Sequence, residues 1–228
     1  MSILVGIDGT GADVFPGQSR DARYAATFAN SFVSRLCTEQ RTPNKKYLKG
    51  PVLLGGLLEE AVREGHIFIN TRRQAGVNEP ILLTGYSRGA TGVVNIAKIL
   101  ERQNIDVKAM LLFDCVDRHA GIDAMVIPKN VGYVLHVLRA PESGSRGSFG
   151  NTARQYNSPT RYEEAIFHCT HGGMGGVPWA APAGQSQNDF IVESWPDGKT
   201  NVTYAQDTRG SERVWTYVKP FIGRHGFQ

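Results

Sequence analysis

The stretch ILLTGYSRGA, residues 81–90, joins a continuous apolar run to a serine held between two glycines. The run is short and apolar throughout, as a parallel strand covered on both faces requires. From Arg88 to Arg102 the apolar residues Val93, Ile96, Ala97 and Leu100 recur at helical spacing, so strand, sharp turn and helix follow in order. A turn this tight leaves no room for a Cβ beside its apex, and Gly85 and Gly89 meet that demand. Ser87 therefore stands at a helix N-terminus, in the position of a nucleophile.

The strand pattern recurs along the chain. SILVGI (2–7) stops at the turn composition Asp8-Gly9-Thr10-Gly11, VKAMLLFDC (107–115) runs into Asp114, and VGYVLHVL (131–138) and EAIFHC (164–169) repeat the signature. Helical spacing runs from about Asp21 to Leu36 through Tyr24, Ala25, Phe28, Phe32 and Leu36, and again from about Val52 to Arg72, where Gly55, Gly56 and Gly65 weaken it. SERVWTYVKPFI (211–222) predicts a closing helix broken near Pro220. Strands alternating with helices predict an α/β fold, a mostly parallel central sheet with helices on both faces, spanning residues 1–228 as one domain.

In such sheets ligands gather at the carboxyl ends of the strands. The loops there carry Asp8-Gly9-Thr10, Ser87, Asp114 and His171, which are expected to converge on one rim. A serine hydroxyl is a poor nucleophile at neutral pH. It needs an imidazole to take its proton and a carboxylate to fix the imidazole's tautomer. Ser87, His171 and Asp114 supply these parts in the chain order Ser, Asp, His, which is the α/β-hydrolase order. The amide of Arg88 is positioned to donate to a developing oxyanion, and the backbone of Gly9 and Thr10 is the candidate second donor. For the acid, Asp114 is preferred because it falls at a strand end; Asp117 and Asp189 are the alternatives. Among the other histidines, His168 is read as lying within the last strand, His119 and His136 as structural, and His66 and His225 lack supporting context.

The remaining composition narrows the classes. A net charge of +4, with basic residues spread through the chain, gives no footprint for nucleic acid and is compatible with weak attraction to anionic lipid. Three cysteines form no disulfide framework. DCVDRH (114–119) with HCTH (168–171) lacks a metal-site spacing, so neither metal nor cofactor is expected. The N-terminus lacks the basic and long apolar regions of a Sec signal, and no segment approaches a membrane span, so a soluble cytoplasmic chain without a transmembrane segment is expected.

Four stretches taken together, IDGTGAD (7–13), GYSRGA (85–90), LLFDCVD (111–117) and CTHGGMGG (169–176), resemble the α/β-hydrolase domain of bacterial type VI secretion phospholipase effectors. HVLRAPESGSRGSF (136–149) adds a fainter similarity, so the resemblance spans about residues 3–176. It implies lipid ester hydrolysis by Ser87, Asp114 and His171, with the Asp8-Gly9-Thr10 loop lining the oxyanion site and no metal. It also implies delivery into a neighbouring cell without a cleavable signal, countered by a cognate immunity protein. Where the family commonly has Ser-Asp after the histidine, this chain has Gly172 and Gly173, and it lacks the larger effectors' long insertions and membrane-anchoring module.

The favoured function is thus a serine hydrolase acting on phospholipid or another acyl ester, with Asp8, Tyr86 and Trp179 as substrate-binding residues. GGVPWAAPAG (175–184), around Trp179, reads either as part of an acyl pocket or lid or as a plain surface loop. A small soluble esterase or thioesterase without a toxin role, and a hydrolase fold kept as an inert binding module, are the competing readings.

Overall fold

The computed structural model of the protein describes residues 1–11, 20–51, 57–116 and 121–228. Along the chain come β1 (Ile3–Ile7), α1 (Arg20–Phe28), α2 (Phe32–Glu39), β2 (Lys45–Leu48), α3 (Leu58–Gln74), β3 (Ile81–Tyr86) and α4 (Arg88–Arg102). They are followed by β4 (Val107–Phe113), β5 (Val126–Ile127), β6 (Val131–Arg139), β7 (Gln155–Tyr156), β8 (Arg161–Phe167) and α5 (His171–Met174). A hairpin of β9 (Phe190–Val192) and β10 (Lys199–Thr203) precedes the closing helix α6 (Tyr204–His225).

The central sheet has the order β2-β1-β3-β4-β6-β8, with every neighbouring pair parallel. Side chains alternate across it, as the two-residue period of a strand dictates. Ile3, Val5, Ile7, Ile81, Leu83, Met110 and Leu112 enter one core with α3 and α4. Leu4, Leu82, Ala109, Leu111 and Phe113 enter the other with α1, α2 and α6. The mostly parallel, doubly covered sheet is therefore as expected, and it is an α/β-hydrolase-like arrangement.

Register builds the rim. Ile7 pairs with Gly85, Gly85 with Leu112, Leu112 with His136 and His136 with Glu164, a single row across five strands. Asp8, Ser87 and Asp114 follow within two residues of that row, on the same side of the sheet.

Several local expectations need correction. The helical spacing from Asp21 to Leu36 is divided: α1 ends at Phe28, and Ser31 starts α2 by accepting the amide of Ser34 at 3.0 Å. The second helix is described from Leu58; Val52 to Gly56 lie outside the described residues. Helix α6 runs through Pro220 unbroken. Pro220 and Thr216, whose carbonyl loses its partner, are both exposed, so water can serve the orphaned oxygen. His168 lies just beyond β8, with its Nε2 3.3 Å from the Asn201 carbonyl, and is not in the strand.

Candidate active site

Ser87 links β3 to α4 with φ 57° and ψ −129°, a backbone state that non-glycine residues avoid. The turn is held from both sides: the Ser87 amide donates to Phe113 O at 3.0 Å, and Ser87 O accepts from Ala90 at 3.1 Å. A Cβ on Gly85 would lie 2.6 Å from Ala90 Cα, and one on Gly89 would collide with the carbonyl oxygens of Ile7 and Asp8. The five-residue frame thus meets a steric demand on each side. Ser87 begins α4 without using its hydroxyl as a cap. That hydroxyl turns instead to His171, with Oγ 2.9 Å from Nε2.

The other ring nitrogen, Nδ1, lies 2.6 Å from Asp114 Oδ2. These distances fix the tautomer: Nδ1–H donates to the carboxylate and Nε2 accepts the serine proton. Asp114 is fully buried. Burial alone would push its carboxyl up, but the hydrogen bond from His171 and the charge of Arg139 outweigh it and hold the group below the usual carboxylate range. Arg139 binds Oδ2 and Asn151 Nδ2 donates to Oδ1 at 2.9 Å. Asp114 is thus the carboxylate that the fold brings to His171. Asp189 caps its own exposed turn at the amide of Ser186 (2.8 Å), and Asp117, like His119, lies outside the described residues.

Around this constellation three expectations change. Asp8 is fully buried and accepts from Ser31 Oγ, from Tyr47 Oη at 3.0 Å and from the Gly9 amide at 2.9 Å, so it braces the loop and offers nothing to a substrate. The Gly9 amide is consumed by that bond and the Gly11 amide by Pro51 O at 3.1 Å. Of the predicted loop donors only the Thr10 amide has no acceptor among the described residues, and Thr10 Oγ1 accepts from Arg88 Nε at 2.8 Å, which brings residues 10 and 88 side by side. Tyr86 is buried too: its ring lies 5.0 Å from that of His171 and its hydroxyl donates to His171 O at 2.9 Å, so it positions the base. Trp179 remains partly exposed, and its amide donates to Asp207 Oδ2 at 2.9 Å.

Asp207, on α6, has no sequence signal that marks it. Its carboxylate accepts from the Thr170 amide at 2.7 Å, from Thr170 Oγ1 at 2.9 Å and from Trp179, which shapes the turn that starts at His171. A Cβ on Gly173 would strike this carboxylate. The Asp207 carboxylate thus fills the space that a side chain at position 173 would need. Burial pushes the Asp207 carboxyl up against those three donors. Behind the acid, His136 accepts from the Cys115 amide at 3.1 Å through Nε2, which leaves Nδ1–H for Tyr162 Oη at 3.1 Å; burial lowers its pKa to about 4. It is a neutral strut of the Asp114 loop.

Ser87 is 4 % exposed and His171 7 %, so the imidazole and carboxylate are largely shielded from water. A cavity of about 770 Å³ lies across the Gly175–Val177 turn, lined by Phe32, Arg35, Pro178 and Trp215, and none of the three central residues borders it. Among the described residues no three His, Cys, Asp or Glu side chains gather as a metal site, and no helix is long and apolar enough to cross a membrane.

No family model and no curated protein matches the sequence. Solved structures with a similar fold include an uncharacterized protein from Pseudomonas aeruginosa (14% identity, TM-score 0.46), matched over 77% of this chain and 42% of that one. The chain thus spans less than half of that protein. The RedJ thioesterase of prodiginine biosynthesis in Streptomyces coelicolor (11% identity, TM-score 0.45) is matched over 78% of this chain and 82% of its own. The thioesterase domain that cyclizes the lipopeptide surfactin (13% identity, TM-score 0.40) is matched over 75% and 83%. At this distance the likeness assigns no substrate.

Proposed function

We propose that the protein is a serine hydrolase that cleaves carboxylic esters of lipids. The observation that carries this is the unbroken line from Ser87 Oγ through His171 to Asp114, at 2.9 and 2.6 Å. Ser87 attacks the ester carbonyl while Nε2 of His171 takes its proton, and the imidazolium is stabilised by Asp114 through Nδ1–H. The amides of Arg88 and Thr10 receive the oxyanion of the tetrahedral intermediate. Collapse returns the proton from Nε2 to the leaving alcohol, and water, deprotonated by the same nitrogen, releases the acid from Ser87.

Support for a lipid substrate comes from the β9–β10 hairpin. Its tip presents Trp195 at 92 % exposure, with Phe190 and Val192 exposed on β9 and the Lys199 ammonium 4.8 Å from the Phe190 ring. An indole beside apolar and basic side chains suits the boundary between headgroups and acyl chains. The hairpin also reaches the base: Glu193 Oε1 accepts from Ser145 Oγ at 2.8 Å, and Ser145 Oγ accepts the His171 amide at 2.8 Å.

The test compares a soluble short-chain ester with the same acyl group presented in anionic phospholipid vesicles. Hydrolysis is expected to rise on vesicles, and Trp195→Ala is expected to lower the ratio of vesicle to soluble rates about tenfold, the loss of one interfacial anchor. Turnover of only the soluble ester or a thioester would replace lipid hydrolysis with the small-esterase reading. The proposal extends to the effector role implied by the sequence resemblance, with an immunity protein as partner. Wild-type chain directed to a bacterial periplasm should arrest growth where Ser87→Ala does not; equal growth would remove the toxin role.

A further inference from the structure

We infer that Arg139 is a positioning residue of the catalytic site, locking the Asp114 carboxylate and the loop behind His171 into one unit. The inference rests on the serine-hydrolase reading above and concerns a residue to which neither the motifs nor the resemblance gives a role. Arg139 is the last residue of β6, and its side chain is buried. Its Nη1 binds Asp114 Oδ2, the same oxygen that receives His171 Nδ1–H, and its own amide reaches Oδ1 at 3.3 Å. Its other two nitrogens point elsewhere: Nε donates to Ser145 O at 2.7 Å and Nη2 to Arg146 O at 2.8 Å.

Those carbonyls belong to the segment that touches the base. Ser145 Oγ holds the His171 amide, and the Phe149 ring packs edge-on against the imidazole at 5.2 Å. One rigid guanidinium therefore spans acid and base supports, which a lysine, with a single compact charge, cannot do. The need is physical. The terminal torsion of an aspartate is broad, so contacts on Oδ1 alone, from Asn151 and the Arg139 amide, would leave the orientation of Oδ2 loosely set. Besides His171, the titratable groups beside Asp114 among the described residues include Tyr86, His136 and Cys169, which stay neutral near pH 7, so Arg139 is the cationic side chain set against the carboxylate.

The experiment uses the full chain with Arg139→Gln and Arg139→Lys, each checked for wild-type circular dichroism, and three readouts. First, kcat on the soluble ester should fall about 100-fold in both variants with KM changed less than about threefold, the signature of displaced catalytic groups. Second, the low-pH limb of kcat/KM, set by protonation of the His171–Asp114 pair, should move to higher pH in Arg139→Gln, because the cation on Asp114 Oδ2 that opposes adding a proton to that pair is gone, and should return toward wild type in Arg139→Lys. Third, the downfield proton resonance of the His171–Asp114 hydrogen bond, which needs no substrate, should be present in wild type and lost or shifted upfield in both variants. If Arg139→Gln does not fold, Arg139→Lys carries the kcat and resonance tests. A folded variant with wild-type kcat or an unchanged resonance, or an unmoved low-pH limb in Arg139→Gln, overturns the role of Arg139. Wild-type protein that turns over no ester would count against the hydrolase reading, while the resonance still decides whether Arg139 positions the pair.

Discussion

Asp8 and Asp114 are both fully buried carboxylates one loop apart on the rim, and they titrate in opposite directions. Asp114 is held low by a histidine and an arginine. Asp8 has only neutral donors, and burial raises its pKa from 3.8 to about 7 despite the bonds from Ser31, Gly9 and Tyr47. A raised folded-state value means that between about pH 4 and 7 the folded chain keeps a proton that the unfolded chain has released, so stability falls as pH rises through that window. Asp207 contributes with the same sign. Asp114 acts oppositely, losing its contribution only as pH falls below the unfolded value near 4, outside this window. His136 and His225, whose pKa values burial lowers, act with the opposite sign in the same window, so the Asp8 contribution is read as a difference: in thermal unfolding from pH 4.5 to 8, the Tm of the wild type relative to that of Asp8→Asn should decline as pH rises, and parallel profiles would contradict the assignment. The three residues that the fold brings together were legible because each type fits a local pattern: a serine between glycines, an aspartate ending a strand, a histidine opening a glycine-rich turn. Asp8 was legible as a loop residue but not as a brace, since its partners Ser31 and Tyr47 are 23 and 39 residues away.

At the scale of elements, the turn carrying His171 is built by two that are far apart in sequence. Thr170 caps α5 by accepting the Gly173 amide at 3.1 Å, and α6 supplies Asp207 to hold Thr170 and Trp179. Asp207→Ala would strand two amides and a hydroxyl, and the expected cost is about 2–4 kcal/mol of stability, read by urea unfolding, with a fall in kcat as the His171 turn loosens. Unchanged stability would show that the turn holds itself. The elements legible in advance are those whose apolar residues face a core: β1, β3, β4, β6 and α4. Less legible were β2, an edge strand of mixed exposure, and the β9–β10 hairpin, whose exposed apolar residues give no burial pattern to read. The break between α1 and α2 was hidden because Tyr24, Phe28, Phe32 and Leu36 keep helical spacing across it and all enter the same core.

Across the whole molecule, one parallel register places the serine, aspartate and histidine loops on a single rim, and the β9–β10 hairpin joins that rim through Glu193 and Ser145. The exposed Trp195 and the Glu193 that supports His171 through Ser145 thus sit on one hairpin, so under the proposed lipid reading occupancy of the hairpin and efficiency of the base are expected to be linked. The order of the strands was legible only as alternation with helices; the hairpin's docking on the 143–149 segment depends on contacts such as Ser145 to Glu193, 48 residues apart. All of this depends on Ser87 acting as a nucleophile activated by His171. It is tested most directly by exposing folded wild-type protein, Ser87→Ala and His171→Ala to a fluorophosphonate and locating the adduct by mass spectrometry. A single adduct on Ser87 is expected in the wild type, none in Ser87→Ala, and labelling slowed by at least about 1,000-fold in His171→Ala. An unlabelled Ser87 in folded wild-type protein, with or without lipid vesicles present, would contradict it.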